Sequence, residues 1–142
     1  KAKEATHYPA PQDAKWSDVK ITFIDDNHVN IKVKDVTKNK VHFSKMGFEY
    51  RKTGKEIKLW RTLRAFALHN GIIPPKVDEK RKLKKIVLPD DVKRLRTKLC
   101  YYFRITDNPI SYNKGKWIKG NYINAEGYKT AFHIKDATYL TK

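Results

Sequence analysis

The residues best suited to chemistry in this sequence are cations and hydroxyls spaced along one face of a predicted helix. They are Lys93, Arg94, Thr97, Lys98 and Tyr101. An arginine can donate two parallel hydrogen bonds to a guanine edge, and lysines and hydroxyl groups can contact phosphate oxygens. We therefore predict that this face binds DNA. Arg96 is expected nearer the core side of the helix, where it would contact a phosphate or pair with an acid.

Further cations precede and follow this helix, and we predict that they contact the phosphate backbone. Those before it lie on a predicted short helix, and those after it lie on a predicted β-hairpin. The first group is Lys76, Lys80, Lys82 and Lys85, and the second is Lys114, Lys116, Lys119 and Lys129. For any single lysine among them, a plainly solvated side chain is an equally good interpretation.

The charge of the chain favours a polyanionic partner. Its 142 residues include 32 Lys and Arg against 15 Asp and Glu, a formal net charge of +17. Residues 76–104 hold eleven bases and four acids, whereas residues 1–30 hold four bases and five acids. Nucleic acid and anionic lipid are the usual partners of such a field, and its clustering favours a binding surface over uniform solubility.

The composition excludes several other classes of protein. Apolar residues make up 39% and aromatic residues 12%, which is enough for a folded core and too much for a disordered basic tail. The longest apolar run, Leu99 to Phe103, is too short to span a membrane. The single Cys100 excludes an intrachain disulfide and a multi-cysteine zinc site, and it is typical of a reducing compartment. Because the chain begins at Lys1 and its one methionine is Met46, we expect it to be a piece of a longer protein.

Catalytic residues in a recognisable arrangement are missing from the sequence. The five histidines are scattered without metal-ligand spacing, and the glycines form no phosphate-binding loop. Two adjacent acid pairs, Asp25-Asp26 and Asp90-Asp91, lie in a predicted turn and at a predicted helix start, so they do not converge on one point. We therefore predict a protein that is not an enzyme and that has no cofactor and no bound metal.

Alternating apolar residues predict that the fold begins with an antiparallel meander of strands. Residues 19–23, 29–33 and 41–43 each place an apolar side chain at every second position, with turn residues between them. Residues 1–17 lack such a period and contain prolines, so they are predicted to be a flexible arm or linker. The remaining residues, 18–142, are predicted to form one domain.

Helical spacing of apolar residues predicts three helices after the meander. One covers Leu59 to Ala67 and stops at Gly71, and a short basic helix follows over 76–85. The third covers 89–103, where Pro89 and two acids suit a helix start. Two further strand-like segments, separated by turn residues, then predict a hairpin over 116–134. The predicted fold is α+β, a winged helix-turn-helix with an N-terminal strand meander, three helices and a C-terminal hairpin as the wing.

Two segments of the sequence carry motifs that can be compared with a known family. They are Val92-Lys93-Arg94-Leu95-Arg96-Thr97-Lys98-Leu99 and Tyr122-Ile123 followed by Gly127-Tyr128-Lys129-Thr130-Ala131-Phe132. They resemble the DNA-binding output domain of OmpR/PhoB-type response regulators, whose recognition helix carries a V-x-x-x-I-x-R-L-R-x-K-L pattern and whose wing ends in I-x-T-V-x-G-x-G-Y-x-F. The resemblance covers about residues 18–135. It implies that the helix over 89–103 enters the major groove while the hairpin over 116–134 acts as the wing.

These patterns predict sequence-specific binding of double-stranded DNA by the output domain of a transcription regulator. The expected location is the cytoplasm, with the nucleoid. RNA polymerase or a second copy on tandem sites would be a further partner, and no membrane is involved. The alternative is a winged-helix interaction module that binds a protein or single-stranded RNA or DNA. That alternative is favoured by aromatic residues in and near the hairpin, namely Tyr112, Trp117, Tyr122 and Tyr128.

Overall fold

The computed structural model describes residues 7–74, 76–77, 83–84 and 87–138, and these form two α-helices and a set of mostly short strands. The helices are α1 (Lys58–Leu68) and α2 (Pro89–Phe103). The strands are β1 (Val19–Phe23), β2 (His28–Val33), β3 (Val36–His42), β4 (Glu49–Tyr50), β5 (Lys55–Glu56), β6 (Ile72–Ile73), β7 (Lys76–Val77), β8 (Leu83–Lys84), β9 (Ile110–Asn113), β10 (Lys116–Ile118), β11 (Asn121–Ile123), β12 (Gly127–Thr130) and β13 (His133–Asp136). Two short 3-10 helices cover Trp16–Asp18 and Phe43–Met46.

The predicted N-terminal meander is confirmed, and it forms most of a four-stranded sheet in the order β13-β1-β2-β3. Every second residue of β1 and β2 is buried, so one face of the sheet covers the core and the other faces solvent. β13 adds to β1 in parallel, with His133 as the register partner of Lys20. The sheet therefore joins the beginning of the domain to its end.

Helix α1 lies on this sheet and on α2. Its apolar stripe is buried, and the indole Nε1 of Trp60 donates a hydrogen bond to the carbonyl of Asp26 at 2.9 Å. The helix ends as predicted near Gly71: Asn70 has a φ of 54° and turns the chain, so that the N–H of Gly71 donates to the carbonyl of Phe66 at 2.7 Å. Such a left-handed residue after the last turn is a common end of a helix.

Helix α2 has the bounds predicted from the sequence. Pro89 occupies its first turn, where a missing N–H costs nothing, and Leu95 and Leu99 are completely buried. One of its two N-terminal acids, Asp91, is also buried, and its carboxylate lies 3.0 Å from the Nζ of Lys58 at the start of α1. This ion pair joins the N-terminal ends of the two helices.

The winged-helix layout with three helices is wrong, since the described residues form only two α-helices. In the segment 76–85, where the second helix was predicted, β7 pairs with β8 as antiparallel strands, with Val77 opposite Leu83. In a helix, the lysines of this segment would recur every four residues on one face, where like charges repel each other. The strand pairing instead brings one apolar pair into register.

The hairpin predicted over 116–134 is also wrong. β10 turns back through Lys119 and Gly120, whose φ values are 49° and 83°, and pairs with β11. A two-residue turn with positive φ at both positions matches the natural twist of a hairpin. β12 pairs with β9, so that Tyr128 lies opposite Tyr112, and its other edge pairs with β6. The final strand of the predicted wing, β13, belongs to the other sheet.

The described part of the predicted arm, residues 7–17, packs on the core. Tyr8 and Trp16 are almost completely buried, and the Tyr8 hydroxyl lies 3.2 Å and 2.9 Å from the carbonyl oxygens of Ile31 and Val36. The indole Nε1 of Trp16 donates to the carbonyl of Asp107 at 2.7 Å. Single side chains make these contacts. The segment therefore shows no periodic pattern from which the contacts could be predicted. Residues 1–6 lie outside the described residues.

Candidate nucleic-acid interface

Four of the predicted contact residues share the solvent side of α2. Lys93, Arg94 and Thr97 are exposed, and the ring of Tyr101 is 47% exposed. They recur at the helical period on the side opposite the buried leucines, so they form one stripe. The Thr97 hydroxyl donates to the carbonyl of Lys93 at 3.3 Å, which leaves the oxygen's lone pairs directed away from the helix backbone.

Two other predicted contact residues are held inside the fold. Lys98 is half-buried, and its Nζ donates to the carbonyl of Gly47 at 2.7 Å while lying 5.8 Å from the ring centre of Phe48. Burial lowers the pKa of Lys98. The Nε of Arg96 donates to the carbonyl of Ile110 at 2.7 Å, so the partner that the fold gives this nitrogen is a backbone oxygen.

These two contacts show which segments of the chain the sides of α2 touch. Lys98 contacts Gly47, at the beginning of the segment that forms the β4–β5 hairpin. Arg96 contacts Ile110, at the beginning of β9, which leads into the β10–β11 hairpin. We call the stripe, together with the two hairpins that follow these contacts in the chain, the α2 surface. Its exposed cations are Arg51, Lys52, Lys55, Lys93, Arg94, Lys114, Lys116 and Lys119.

Acids on or near the α2 surface are fewer. Glu49, Glu56 and Asp90 are at least partly exposed, whereas Asp91 is paired with Lys58. The surface therefore has a positive balance, and the negative charge of α2 is concentrated in its first turn. Acids in that position interact favourably with the positive end of the helix dipole.

The C-terminal end of the stripe contacts the N-terminal segment. The Nδ1–H of His7 donates to the carbonyl of Tyr101 at 2.8 Å, and the two rings lie 4.5 Å apart between centroids. The N–H of Tyr8 donates to the carbonyl of Tyr102 at 2.8 Å. Half of the Tyr101 ring is therefore covered by the protein itself, so Lys93, Arg94 and Thr97 form the more accessible part of the stripe.

The remaining predicted contacts are dispersed. Lys116 and Lys119 are exposed on the β10–β11 hairpin, as expected for backbone contacts. Lys76 lies on β7, and Lys80, Lys82 and Lys85 lie outside the described residues. Lys129 lies on β12 and lines a groove elsewhere on the surface.

Sequence analysis missed an open groove of about 900 Å³ between the two larger sheets. Its walls come from β1 and β13 on one side and from β6, β12 and the end of α1 on the other. Its basic side chains are Lys20, Lys129, His133 and Lys135, and none of its lining residues is Asp or Glu. The period of β1 and β13 does predict exposure of these side chains, but only the parallel pairing of the strands brings them together.

The β10–β11 hairpin carries an exposed apolar group among its lysines. Trp117 is 57% exposed, Ile118 is 44% exposed and Ile123 is 41% exposed. A close backbone approach supports the base of this hairpin, because a Cβ on Gly115 would lie 2.4 Å from the carbonyl oxygen of Ile123. Only glycine fits at that position.

No helix in the described part of the chain combines the length and the apolar content that crossing a bilayer requires. Among the same residues, no three His, Cys, Asp or Glu side chains are grouped so that they could hold a metal ion. The chain matches no protein-family model, no curated protein and no solved structure.

Proposed function

We propose that the protein binds double-stranded DNA through the α2 surface. The observation that carries the proposal is the exposed pair Lys93 and Arg94 on a 15-residue helix, whose neighbours Arg96 and Lys98 contact the segments that lead into two basic hairpins. A duplex presents one negative charge per about 1.7 Å of its axis, so a line of cations releases counterions when it binds. An α-helix also fits the width of the major groove.

Some side chains of the α2 surface would position the duplex, and others would recognise its bases. Arg94 is the residue best suited to a guanine edge, because a guanidinium can donate two parallel hydrogen bonds to it. Lys93 and the Thr97 hydroxyl would contact phosphates beside it. The lysines of the β10–β11 hairpin would contact the backbone farther along the duplex, and such contacts set the register without reading sequence.

Sequence-specific binding would make this domain part of a transcription regulator, acting on nucleoid DNA in the cytoplasm. RNA polymerase, or a second copy on a tandem site, would then be its further partner. The relation of residues 92–99 to the recognition helix of OmpR/PhoB-type output domains stays a prediction. The proposal rests on the charge and exposure of the α2 surface and needs no winged helix.

The test measures duplex affinity by fluorescence anisotropy between about 50 and 200 mM salt, the range in which phosphate contacts dominate the salt dependence. We expect Lys93→Ala with Arg94→Ala to weaken binding at least about tenfold and to reduce the salt slope by about two. The matched control is Lys38→Ala with Lys40→Ala, which removes the same charge from the edge strand β3. Equal losses in the two double variants would refute the proposal.

Single-strand binding is a second candidate, and the exposed Trp117 is the observation that favours it. Stacking of a base on an aromatic ring contributes about 1–3 kcal/mol and tolerates any sequence. On this alternative, Trp117→Ala weakens binding of a single strand about tenfold or more, while Lys93→Ala with Arg94→Ala has the smaller effect. If the protein instead binds a duplex through the α2 surface, Lys93→Ala with Arg94→Ala should weaken duplex binding more than Trp117→Ala does.

A further inference from the structure

The groove between the two larger sheets carries positive charge that the described chain does not neutralise. Lys20 is the register partner of His133 on one side and of Lys32 on the other, so basic residues occupy directly opposite positions across three strands. Like charges in such positions destabilise a sheet. An arrangement that costs stability in the free protein becomes favourable when an anion lies across it.

Other cations of the fold lie beside carboxylate partners. Lys34 lies 3.0 Å from Asp13, Lys58 lies 3.0 Å from Asp91, and the Nε of Arg64 lies 3.1 Å from Asp136. Over the described residues, no carboxylate oxygen lies within 4.0 Å of the ammonium groups of Lys20, Lys32, Lys129 or Lys135. Lys20, Lys129 and Lys135, which line the groove, therefore differ from the cations that are paired within the fold.

The groove also offers neutral hydrogen-bond donors beside its cations. Ser17, Thr22 and Asn70 line it with hydroxyl and amide groups. Thr130 lines it as well, although its hydroxyl already donates to the carbonyl of Phe132 at 2.7 Å. Lysines together with hydroxyl and amide donors are the set that contacts phosphate oxygens in nucleic-acid complexes.

The groove and the α2 surface are formed by different elements of the fold. The groove lies at the edge of the sheet, beside the solvent face that carries Lys20 and Lys135. The other face of that sheet covers the core and α1, and α2 packs on α1 with its stripe exposed. The two surfaces share no residue, so a substitution in one leaves the side chains of the other in place.

We propose that the groove is a second phosphate-binding site, which holds the backbone of a nucleic-acid segment other than the one at the α2 surface. The groove residues that carry the proposal are Lys20, Lys129, His133 and Lys135. The inference that the groove binds phosphate depends only on the charge and shape of the groove. The consequence that one chain bridges two segments rests in addition on the proposed function of the α2 surface.

The first experiment maps the contact directly in the whole chain. Lysines are acetylated briefly with and without a 30-base-pair duplex or a single strand of equal length, and the modification is read by mass spectrometry. We expect Lys20, Lys129 and Lys135 to be protected at least threefold by nucleic acid, while Lys38 and Lys40 on β3 react unchanged. Protection limited to the α2 surface would overturn the groove proposal and leave the proposed function intact.

The second experiment separates the two sites by substitution. In the background of Lys93→Ala with Arg94→Ala, adding Lys20→Gln and Lys135→Gln should lower the residual affinity at least fivefold and reduce the salt slope by about two more. Adding Lys38→Gln and Lys40→Gln instead should change little. All four positions are exposed, so the fold should survive, and circular dichroism checks it. Equal effects of the two additions would overturn the groove proposal.

Bridging is measured by capture of a labelled duplex on an immobilised one. The wild-type protein should capture it, and either Lys93→Ala with Arg94→Ala or Lys20→Gln with Lys135→Gln should abolish capture. If only the groove variant fails in direct binding, the groove proposal stands and the proposed function of the α2 surface falls. If poly-glutamate protects the groove lysines and nucleic acid does not, the groove takes an acidic protein and the proposal is wrong.

Discussion

The Nζ of Lys98 lies 2.7 Å from the carbonyl oxygen of Gly47, and this hydrogen bond joins the middle of α2 to the segment that leads into β4. The lysine stem is half-buried beside the ring of Phe48. The hydrogen bond holds the ammonium group against the backbone, away from the exposed stripe. Lys98 and its neighbours on α2 can therefore be distinguished by experiment.

Lys98→Met should reduce stability and leave DNA binding unchanged. Methionine keeps the length of the stem and loses the hydrogen bond, so the free energy of unfolding in urea should fall by about 1–2 kcal/mol. The salt slope of duplex binding should stay at the wild-type value. A slope reduced by about one, with unchanged stability, would instead place Lys98 in contact with phosphate.

Tyr8→Phe should show that the N-terminal segment contributes to stability. The hydroxyl of Tyr8 is bonded to two backbone carbonyls, and its loss should cost about 1 kcal/mol at neutral pH. Burial raises the pKa of Tyr8 from 10.0 to about 12, against the smaller opposing effect of a backbone hydrogen bond.

The same substitution has a signature in alkaline solution. Because the folded pKa of Tyr8 is higher than the unfolded one, the stability of the wild type should decrease as the pH rises from about 10 to 12. Tyr8→Phe lacks this group, so its stability should decrease less over that interval. Urea unfolding at pH 8 and pH 11 measures the difference. Parallel pH profiles for the two proteins would contradict the prediction.

Gly71→Ala should be strongly destabilising. Its φ of 88° is unfavourable for alanine, and a Cβ would lie 2.5 Å from the Thr130 hydroxyl oxygen. We expect a loss of about 2–4 kcal/mol in the free energy of unfolding. Gly54→Ala is the matched control, because its φ of 71° is similar and nothing lies within 4 Å of its Cβ. The control should lose only about 1 kcal/mol. Equal losses would show that the contact with Thr130 is unimportant.

Asp136→Asn should lower the stability of the fold and make that stability less dependent on pH in the acidic range. Burial acts to raise the pKa of Asp136, but hydrogen bonds from Thr138 and Arg64 outweigh it and hold the pKa below its usual value. The ionised form therefore stabilises the fold above about pH 4, and this contribution is lost as the pH falls through the lowered pKa. At pH 7 we expect Asp136→Asn to lose about 2 kcal/mol, with less further loss on acidification. An acid transition as steep as that of the wild type would exclude Asp136 as a main contributor.

The elements predicted correctly are those whose side chains repeat with a strong period. The alternation of Val19, Ile21 and Phe23 predicts β1, and the spacing of Val92, Leu95 and Leu99 predicts α2 with its observed bounds. In each pattern, a few neighbouring residues are enough to show which side of the element is buried. No distant contact is needed to interpret them.

The elements that were predicted wrongly depend on pairing between distant residues. The partner of Tyr128 is Tyr112 because Lys119 and Gly120 turn the chain early, and no local pattern identifies that partner. The basic segment 76–85 has too weak an apolar stripe to distinguish a helix from paired strands. For the candidate site the limit is similar, since a helical wheel places Lys98 near the stripe but does not reveal the carbonyl of Gly47 beside it.

The parallel pairing of β13 with β1 has a consequence for how the chain acquires its structure. The central sheet lacks its fourth strand until residues near 136 have left the ribosome, although the meander before it can form early. Pairing of segments so far apart in the chain slows folding, because a large loop must close before the contacts are made. We therefore expect slow refolding, with a rate that falls on substitution of Ile134 and that stopped-flow fluorescence measures.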